Sequence, residues 1–409
     1  MNFSRRGFMG AGAALFASTG LKAFGAEEEH VIQGFDETDA GELQDKPWEP
    51  FSDQKVRVGI AGEGVCDFGS QFGYQNHPNV EVVAVTDLDP EKCRLLQERT
   101  KAPKTYPSCE EMIKNASKDK LDAVYIATDA PSHARLVIMA FDHGLNVCSA
   151  VPAFLGADQI PLVAEMLDAQ KRSGKLYMMN ETSAFRANCY AMRKYYEAGL
   201  LGDLSIAEGE YFHPGEGDFD SKHEIGSYNG WREGLPPQYY PTHSNGYYTC
   251  VTHKRFTRVT CQAMPSPYRA YNLPNRYNNR FRSEFALFRC EDGATARMTV
   301  AWDLPAHGYE SGRVYGTKGS VDGNGKYRGW FEKEAAAIDV RKPQLPPGMV
   351  PGPHGGSHGY LTDDFIRGIL VPGHKVCMDM VTSINTTIAG VYAHLSAMKD
   401  GESLAIPAV

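Results

Sequence analysis

Lys55-Val-Arg-Val-Gly-Ile-Ala-Gly-Glu-Gly-Val-Cys-Asp-Phe-Gly69, a helix-forming run, and then Val80-Glu-Val-Val-Ala-Val-Thr-Asp87 decide the reading of the fold. The first β-branched series (Val56, Val58, Ile60) is cut by Gly62 and Gly64, and the second ends at an acid, Asp87. This pattern predicts a strand, a glycine turn, a helix and a second parallel strand. Glycines let a backbone approach a pyrophosphate closely, and the following helix start offers free N–H groups and a positive dipole end. Asp87, 25 positions beyond Gly62, is placed to accept hydrogen bonds from the adenosine ribose hydroxyls. A carboxylate there repels a 2′-phosphate, so NAD is expected in preference to NADP. The third glycine of the usual G-x-G-x-x-G pattern is replaced by Asp67, and Gly69 arrives two places late, so the turn is expected to be modified.

Working outward, 409 residues exceed one ordinary core and predict two domains. A hydrophobic share of 42% with 22% charged residues is that of a globular chain. The net charge of −8 argues against nucleic acid or anionic lipid as a partner and is compatible with a neutral polar substrate. Nine scattered cysteines without a C-x-x-C pair predict neither a zinc site nor a disulfide framework.

The first 25 residues read as a targeting segment. Arg5-Arg6 precede a small-residue apolar stretch over 10–24 that carries only Lys22, the arrangement of a Tat signal. Its removal takes three positive charges and leaves a net −11 on the mature chain, which is expected in the periplasm without membrane insertion. Residues 26–53 read as an arm or linker, 54–180 as a Rossmann domain, and 181–375 as a substrate and oligomerisation domain. Residues 376–409 read as a helix and tail packing back on the first domain. Within the first domain, helices are predicted over 89–99, 132–143 and 156–173, and strands over 121–127, 145–149 and 176–179. Beyond Asn180, a helix over 187–197 is followed by strands over 204–212, 283–289, 294–302 and 313–316. Successive strands without crossover helices predict a mostly antiparallel sheet. Residues 212–279, rich in Tyr, His, Asn, Pro and Gly, read as one long functional loop.

With these motifs in place the chain resembles the Gfo/Idh/MocA family over about residues 54–405. The resemblance rests on Val58-Gly-Ile-Ala-Gly-Glu-Gly64, Ala84-Val-Thr-Asp87, the Thr128 to His133 strand end, Val314-Tyr-Gly-Thr-Lys-Gly-Ser320 and the terminal helices. It implies an α/β chain: an N-terminal Rossmann domain plus a C-terminal α+β domain with a large, mostly antiparallel open sheet, whose open face forms a homo-oligomer. Most members carry Glu-Lys-Pro, its lysine assisting proton transfer, where this chain has Ala150-Val151-Pro152. A subgroup of NAD-dependent exo-α-N-acetylgalactosaminidases also has valine there, and its Tyr-Pro-Thr-His motif is similar to Tyr240-Pro241-Thr242-His243. The subgroup's glutamate before the valine is Ala150 here, and its tyrosine after the strand-end glutamate aligns with Phe185, with Glu181 matching the glutamate.

His243 is the first candidate for the catalytic acid–base, since imidazole titrates near neutrality. Tyr240 is the candidate to orient base or substrate. Trp231 and Arg232 resemble a sugar platform with a charged donor, and Glu181, at a strand end beside the nicotinamide half, is a polar substrate-site candidate. Gly62, Gly64, Asp87, Thr128 and His133 are the cofactor candidates. No metal is expected, because the glycines inside His354-Gly-Gly-Ser-His358 argue against a helix presenting both rings to one ion. The resulting expectation is an exported carbohydrate or polyol oxidoreductase with tightly held, recycled NAD. A redox-assisted glycosidase, or a non-catalytic sugar-binding relative, is the alternative.

Overall fold

A computed structural model describes residues 41–64, 67–213, 230–267, 271–302 and 310–409. The signal segment, most of the arm, and Cys66, His223, Tyr228 and His307 lie outside the described residues. The first domain carries β1 (Val56–Ala61), α1 (Phe68–Gln71), β2 (Val80–Thr86), α2 (Pro90–Thr100), β3 (Thr105–Tyr106), α3 (Cys109–Lys114), α4 (Ala116–Asp119) and β4 (Ala123–Ile126). It continues through α5 (His133–Asp142), β5 (Asn146–Ser149), α6 (Leu162–Ser173) and β6 (Tyr177–Met179). Its six strands are parallel in the order β3-β2-β1-β4-β5-β6. The order reverses between β1 and β4, and an open parallel sheet binds its ligand at such a switch point, beyond the carboxyl ends of the strands. β1 and β4 are buried almost throughout because helices cover both faces, which is why they read as unbroken apolar runs.

The second domain holds α7 (Ala187–Glu197), β7 (Leu204–Phe212), α8 (Thr242–Thr252), β8 (Phe256–Pro265), β9 (Phe281–Cys290), β10 (Thr295–Ala301) and β11 (Glu310–Gly316). It continues with β12 (Gly319–Val321), β13 (Tyr327–Gly329), α9 (Glu332–Ala336), α10 (Pro353–Gly356), α11 (His358–Leu370), α12 (Met380–Ala397) and β14 (Leu404–Ala405). The sheet runs β13-β12-β11-β7-β10-β9-β8-β14 and is antiparallel except for the β7–β10 pair.

Two expectations are corrected. Residues 212–279 are not one loop: they contain α8 and β8, and His243 sits in the first turn of α8. Thr242, Ser244, Asn245 and Gly246 read as loop residues, yet every residue of α8 is buried. Its polar side chains are used internally: Thr249 Oγ1 donates to the Asn245 carbonyl at 3.2 Å, and Asn245 Nδ2 donates to the Thr386 carbonyl at 3.0 Å. A helix buried all round carries no amphipathic stripe to betray it. The C-terminal tail also differs from expectation. β14 pairs with β8 at the edge of the second sheet, while α12 is shared between the domains: the Ala153 N–H donates to Thr387 Oγ1 at 3.2 Å.

Residues 41–53 run across both domains. The Gln44 N–H donates to the Lys342 carbonyl at 2.9 Å, and Asn79 Nδ2 donates to the Ser52 carbonyl at 2.8 Å. Lys342 is itself buried, and its Nζ donates to the Phe185 and Gly356 carbonyls at 2.9 Å each. Lys342→Met would leave those carbonyls without their donor, at roughly 1–3 kcal/mol apiece. The expected result is a clearly lower urea midpoint; an unchanged midpoint would show that the ammonium holds nothing together.

Candidate active site

The carboxyl ends of β2, β4, β5 and β6 deliver Asp87, Thr128, Ala150-Val151 and Glu181, in that order. A cavity of about 400 Å³ runs along the first three of these ends. Its walls include Gly62, Gly64, Asp87 and Thr128 at one end and Val151, Trp231, Arg232 and Tyr240 at the other.

The glycine turn explains itself sterically. Gly62 has φ +94°, and a Cβ there would stand 2.4 Å from the Ala127 carbonyl oxygen. Gly69 assumes the packing role of the displaced third glycine, since a Cβ on it would lie 2.5 Å from the Gly62 carbonyl oxygen. Between the two glycines, Glu63 turns inward. Its carboxylate accepts from the Ser70 N–H at 2.9 Å and from Arg99 at 2.6 Å, fixing α1 against the turn. Asp87 Oδ2 accepts from the Glu63 N–H at 2.8 Å. This cradle, with an acid at the end of β2, fits an adenine dinucleotide.

His133 is buried behind the wall rather than in it, with its ring nitrogens 2.8 Å from the Pro152 carbonyl and 3.2 Å from the Thr128 carbonyl. Burial holds its pKa below the ordinary value, so the neutral ring donates to one of these carbonyls while packing between the two loops. His243 and Glu181 likewise stand behind the wall among the described residues, and Tyr240 is the member of that group that reaches it. The Tyr240 and His243 ring centres are 5.6 Å apart.

Glu181 Oε1 accepts from the Ser183 N–H at 2.9 Å and lies 2.9 Å from His243 Nδ1. The geometry makes His243 Nδ1–H the donor and leaves Nε2, which has no hydrogen-bond partner among the described residues, as the candidate proton-transfer atom. Burial pushes the His243 pKa down, but the charge and hydrogen bond of Glu181, with Glu310 beyond, outweigh it and raise the imidazole above its ordinary value. Burial pushes Glu181 up, and the His243 charge and hydrogen bond return it below the usual carboxylate range.

Three residues the sequence reading missed complete the cluster. Glu310 Oε2 is 3.7 Å from His243 Nδ1, and Arg186 Nε is 2.9 Å from Glu310 Oε1. His354 lies with its ring centre 6.3 Å from that of His243. Burial, then the neighbouring His358, His243, Arg186 and His213, hold His354 well below its ordinary pKa. Two nearby histidines thus have environments that push their pKa values apart, the usual arrangement of an acid–base site. The glycines between His354 and His358 do not separate the rings: His354 adopts φ 54°, and its Nδ1 is 2.9 Å from His358 Nε2. Glu181, His243 and Glu310 each bring one ligand atom within 4.8 Å of the others. Arg186 and the imidazole already balance those two carboxylates, so the set reads as an ion-pair network.

Fold and cavity together define an NAD-binding oxidoreductase. Residues 56–181 match the oxidoreductase family with an NAD-binding Rossmann fold named Gfo/Idh/MocA. It is 26% identical over 342 residues to Glycosyl hydrolase family 109 protein 1 of Bacteroides thetaiotaomicron, covering 79% of this chain and 71% of that protein. It is 31% identical over 160 residues to trans-1,2-dihydrobenzene-1,2-diol dehydrogenase of Homo sapiens, covering 38% of this chain and 46% of that one. Scyllo-inositol dehydrogenase from Lactobacillus casei, solved with NAD(H) and scyllo-inositol, shares the fold. The TM-score is 0.65 at 15% identity, covering 86% of this chain and 99% of that chain.

Proposed function

We propose that the chain is an exported oxidoreductase acting on a sugar, polyol or sugar derivative, with NAD held through successive turnovers. The observation that carries the reading is one continuous cavity joining the glycine cradle and Asp87 to Trp231, Arg232 and Tyr240, backed by the His243–Glu181 pair. Bound NAD supplies the two-electron acceptor and donor. The Trp231 indole gives a face for sugar C–H groups, and the Arg232 guanidinium, 4.0 Å over that ring, gives donors for sugar hydroxyls. From behind the cavity wall, His243 takes the hydroxyl proton through one bridging hydroxyl or water as the carbon is oxidised and returns it in the reverse step, with Glu181 fixing its tautomer. Val151 holds no proton, so the cavity floor contributes shape alone. A second carbonyl compound accepts the electrons and restores the cofactor. Arg5-Arg6 and the apolar stretch behind them support Tat export of the folded, loaded protein to the periplasm.

A redox-assisted glycosidase is the second reading, favoured by the 79% coverage with the family 109 relative and by Tyr240-Pro241-Thr242-His243. There, oxidation of the 3-hydroxyl to a ketone acidifies the neighbouring C2–H, the glycosidic bond is eliminated, water adds across the resulting double bond, and the ketone is reduced. Ala150 and Phe185 supply no polar group to this sequence. Protein purified without added cofactor, mixed with free sugars or with aryl glycosides, separates the readings. Bound NADH absorbance without aryl release supports the oxidoreductase, and aryl release without added NAD supports the glycosidase. Neither signal, in protein lacking NAD, leaves a non-catalytic relative.

The pH dependence follows from the Glu181–His243 pair. Oxidation needs neutral His243, so its rate is expected to rise with pH through a value above the ordinary imidazole range. Glu181→Gln removes the charge that favours the imidazolium and lowers the His243 pKa, so the rising limb should move to lower pH. A profile that stays put would exclude His243 as the titrating group.

Homo-oligomerisation through the second sheet completes the reading. Ile206 faces Tyr315 across β7 and β11, and Phe285 and Leu287 share the same open face, all four at least 40% exposed. Multi-angle light scattering should give a dimer or tetramer, and Leu287→Arg should shift it toward monomer.

A further inference from the structure

A second cavity, of about 570 Å³, opens beside α7 and shares no wall residue with the nucleotide cavity. Arg193, 7% exposed, lines this cavity. Arg193 Nη1 is fully buried with no hydrogen-bond partner, and no described residue forms an ion pair with the group. Its contacts are the faces of Phe185 and Tyr190, each 5.2 Å from the guanidinium carbon.

The carboxylates nearby are committed elsewhere. Asp364 accepts from the Cys377 N–H at 2.8 Å and lies 2.7 Å from His374 Nε2. Asp379 caps α12 by accepting from the Thr382 N–H at 2.8 Å, and Glu197 pairs with Lys194 at 3.0 Å. Lys375, exposed on the same wall, has no ion-pair partner among the described residues.

A buried cation whose carboxylate neighbour, Asp364, is already engaged by His374 and the Cys377 N–H is incompletely compensated, and two aromatic faces offset only part of that cost. The planar guanidinium fork matches a carboxylate or a phosphate in bidentate fashion, which a lone lysine does not. We propose that this cavity is a second ligand site, taking the oxyanion of a small acid, with Arg193 as the buried anchor and Lys375 as the rim charge. The site is independent of the reading of the nucleotide cavity.

Calorimetric titration of the purified, NAD-loaded full chain tests it, with inorganic phosphate and with succinate as probes, in chloride buffer at constant ionic strength. Saturable binding of one equivalent is expected for at least one probe. Phosphate alone would assign a phosphorylated ligand, and succinate alone a carboxylate. Arg193→Met should weaken binding at least about 10-fold, the worth of a charge-assisted hydrogen bond. Lys375→Ala, at the exposed rim, should weaken binding about threefold with NAD content unchanged. The proposal is overturned if neither probe binds the wild type more tightly than about 10 mM. It is also overturned if Arg193→Met binds as wild type does. Should Arg193→Met not fold, Arg193→Lys replaces it, and undiminished binding by that variant and by Lys375→Ala overturns the proposal equally.

Discussion

Replacing His243 by alanine is expected to lower turnover by about 10²- to 10⁴-fold, the usual worth of a positioned acid–base group, with bound NAD retained. The split follows from where the residue sits. His243 belongs to α8 and bonds to Glu181, whereas the cradle for the dinucleotide is built from β1, β2 and β4. Cofactor content would be read from the ultraviolet spectrum of the purified variant, and turnover from sugar-dependent reduction of the bound nucleotide. A variant that keeps its rate removes the imidazole from the chemistry. A variant that loses NAD as well shows instead that α8 supports the whole cavity.

Gly62→Ala should produce the opposite split. The new methyl group would meet the Ala127 carbonyl oxygen at 2.4 Å, and φ +94° is a conformation an L side chain rarely adopts. Neither strain can relax locally, because the Gly62 N–H is bonded to the Thr86 carbonyl at 2.7 Å. Strained backbone of this kind costs about 1–3 kcal/mol, and the displaced turn would no longer follow a pyrophosphate. Protein isolated without nucleotide, and inactive until excess NAD is supplied, is the expected result. Full NAD content in this variant would show that the nucleotide is held elsewhere.

The first domain was legible because its determinants are local. The β-branched runs, Gly62, Gly64 and Asp87 specify the strand, turn and acid within 32 residues of one another, and the parallel sheet follows. Gly69 shows the same logic at a shifted position, since helix and strand must still approach closely. The second sheet was legible from alternation, and the structure places the strand over 204–212 at Leu204–Phe212. α8 was not legible, because its burial is imposed by α12 and the sheet, elements distant in sequence. The active-site cluster was hidden for the same reason. Glu310 lies at the start of β11 and His354 in α10, and nothing in their neighbourhoods announces His243. Arg186, five residues beyond Glu181, was the nearest signal available, and its partner Glu310 is far along the chain.

The short segment over 41–53 has a kinetic consequence. Swinging the two domains apart requires breaking its Gln44–Lys342 bond, while the Asn79–Ser52 bond keeps the segment seated on the first domain and in place to re-form the lost contact. A tethered partner is held at high effective concentration and re-forms its bond quickly. Departure of a nucleotide from between the domains is therefore expected to have a small off-rate. Slow release of the redox partner would let the proposed catalyst work where none is replenished.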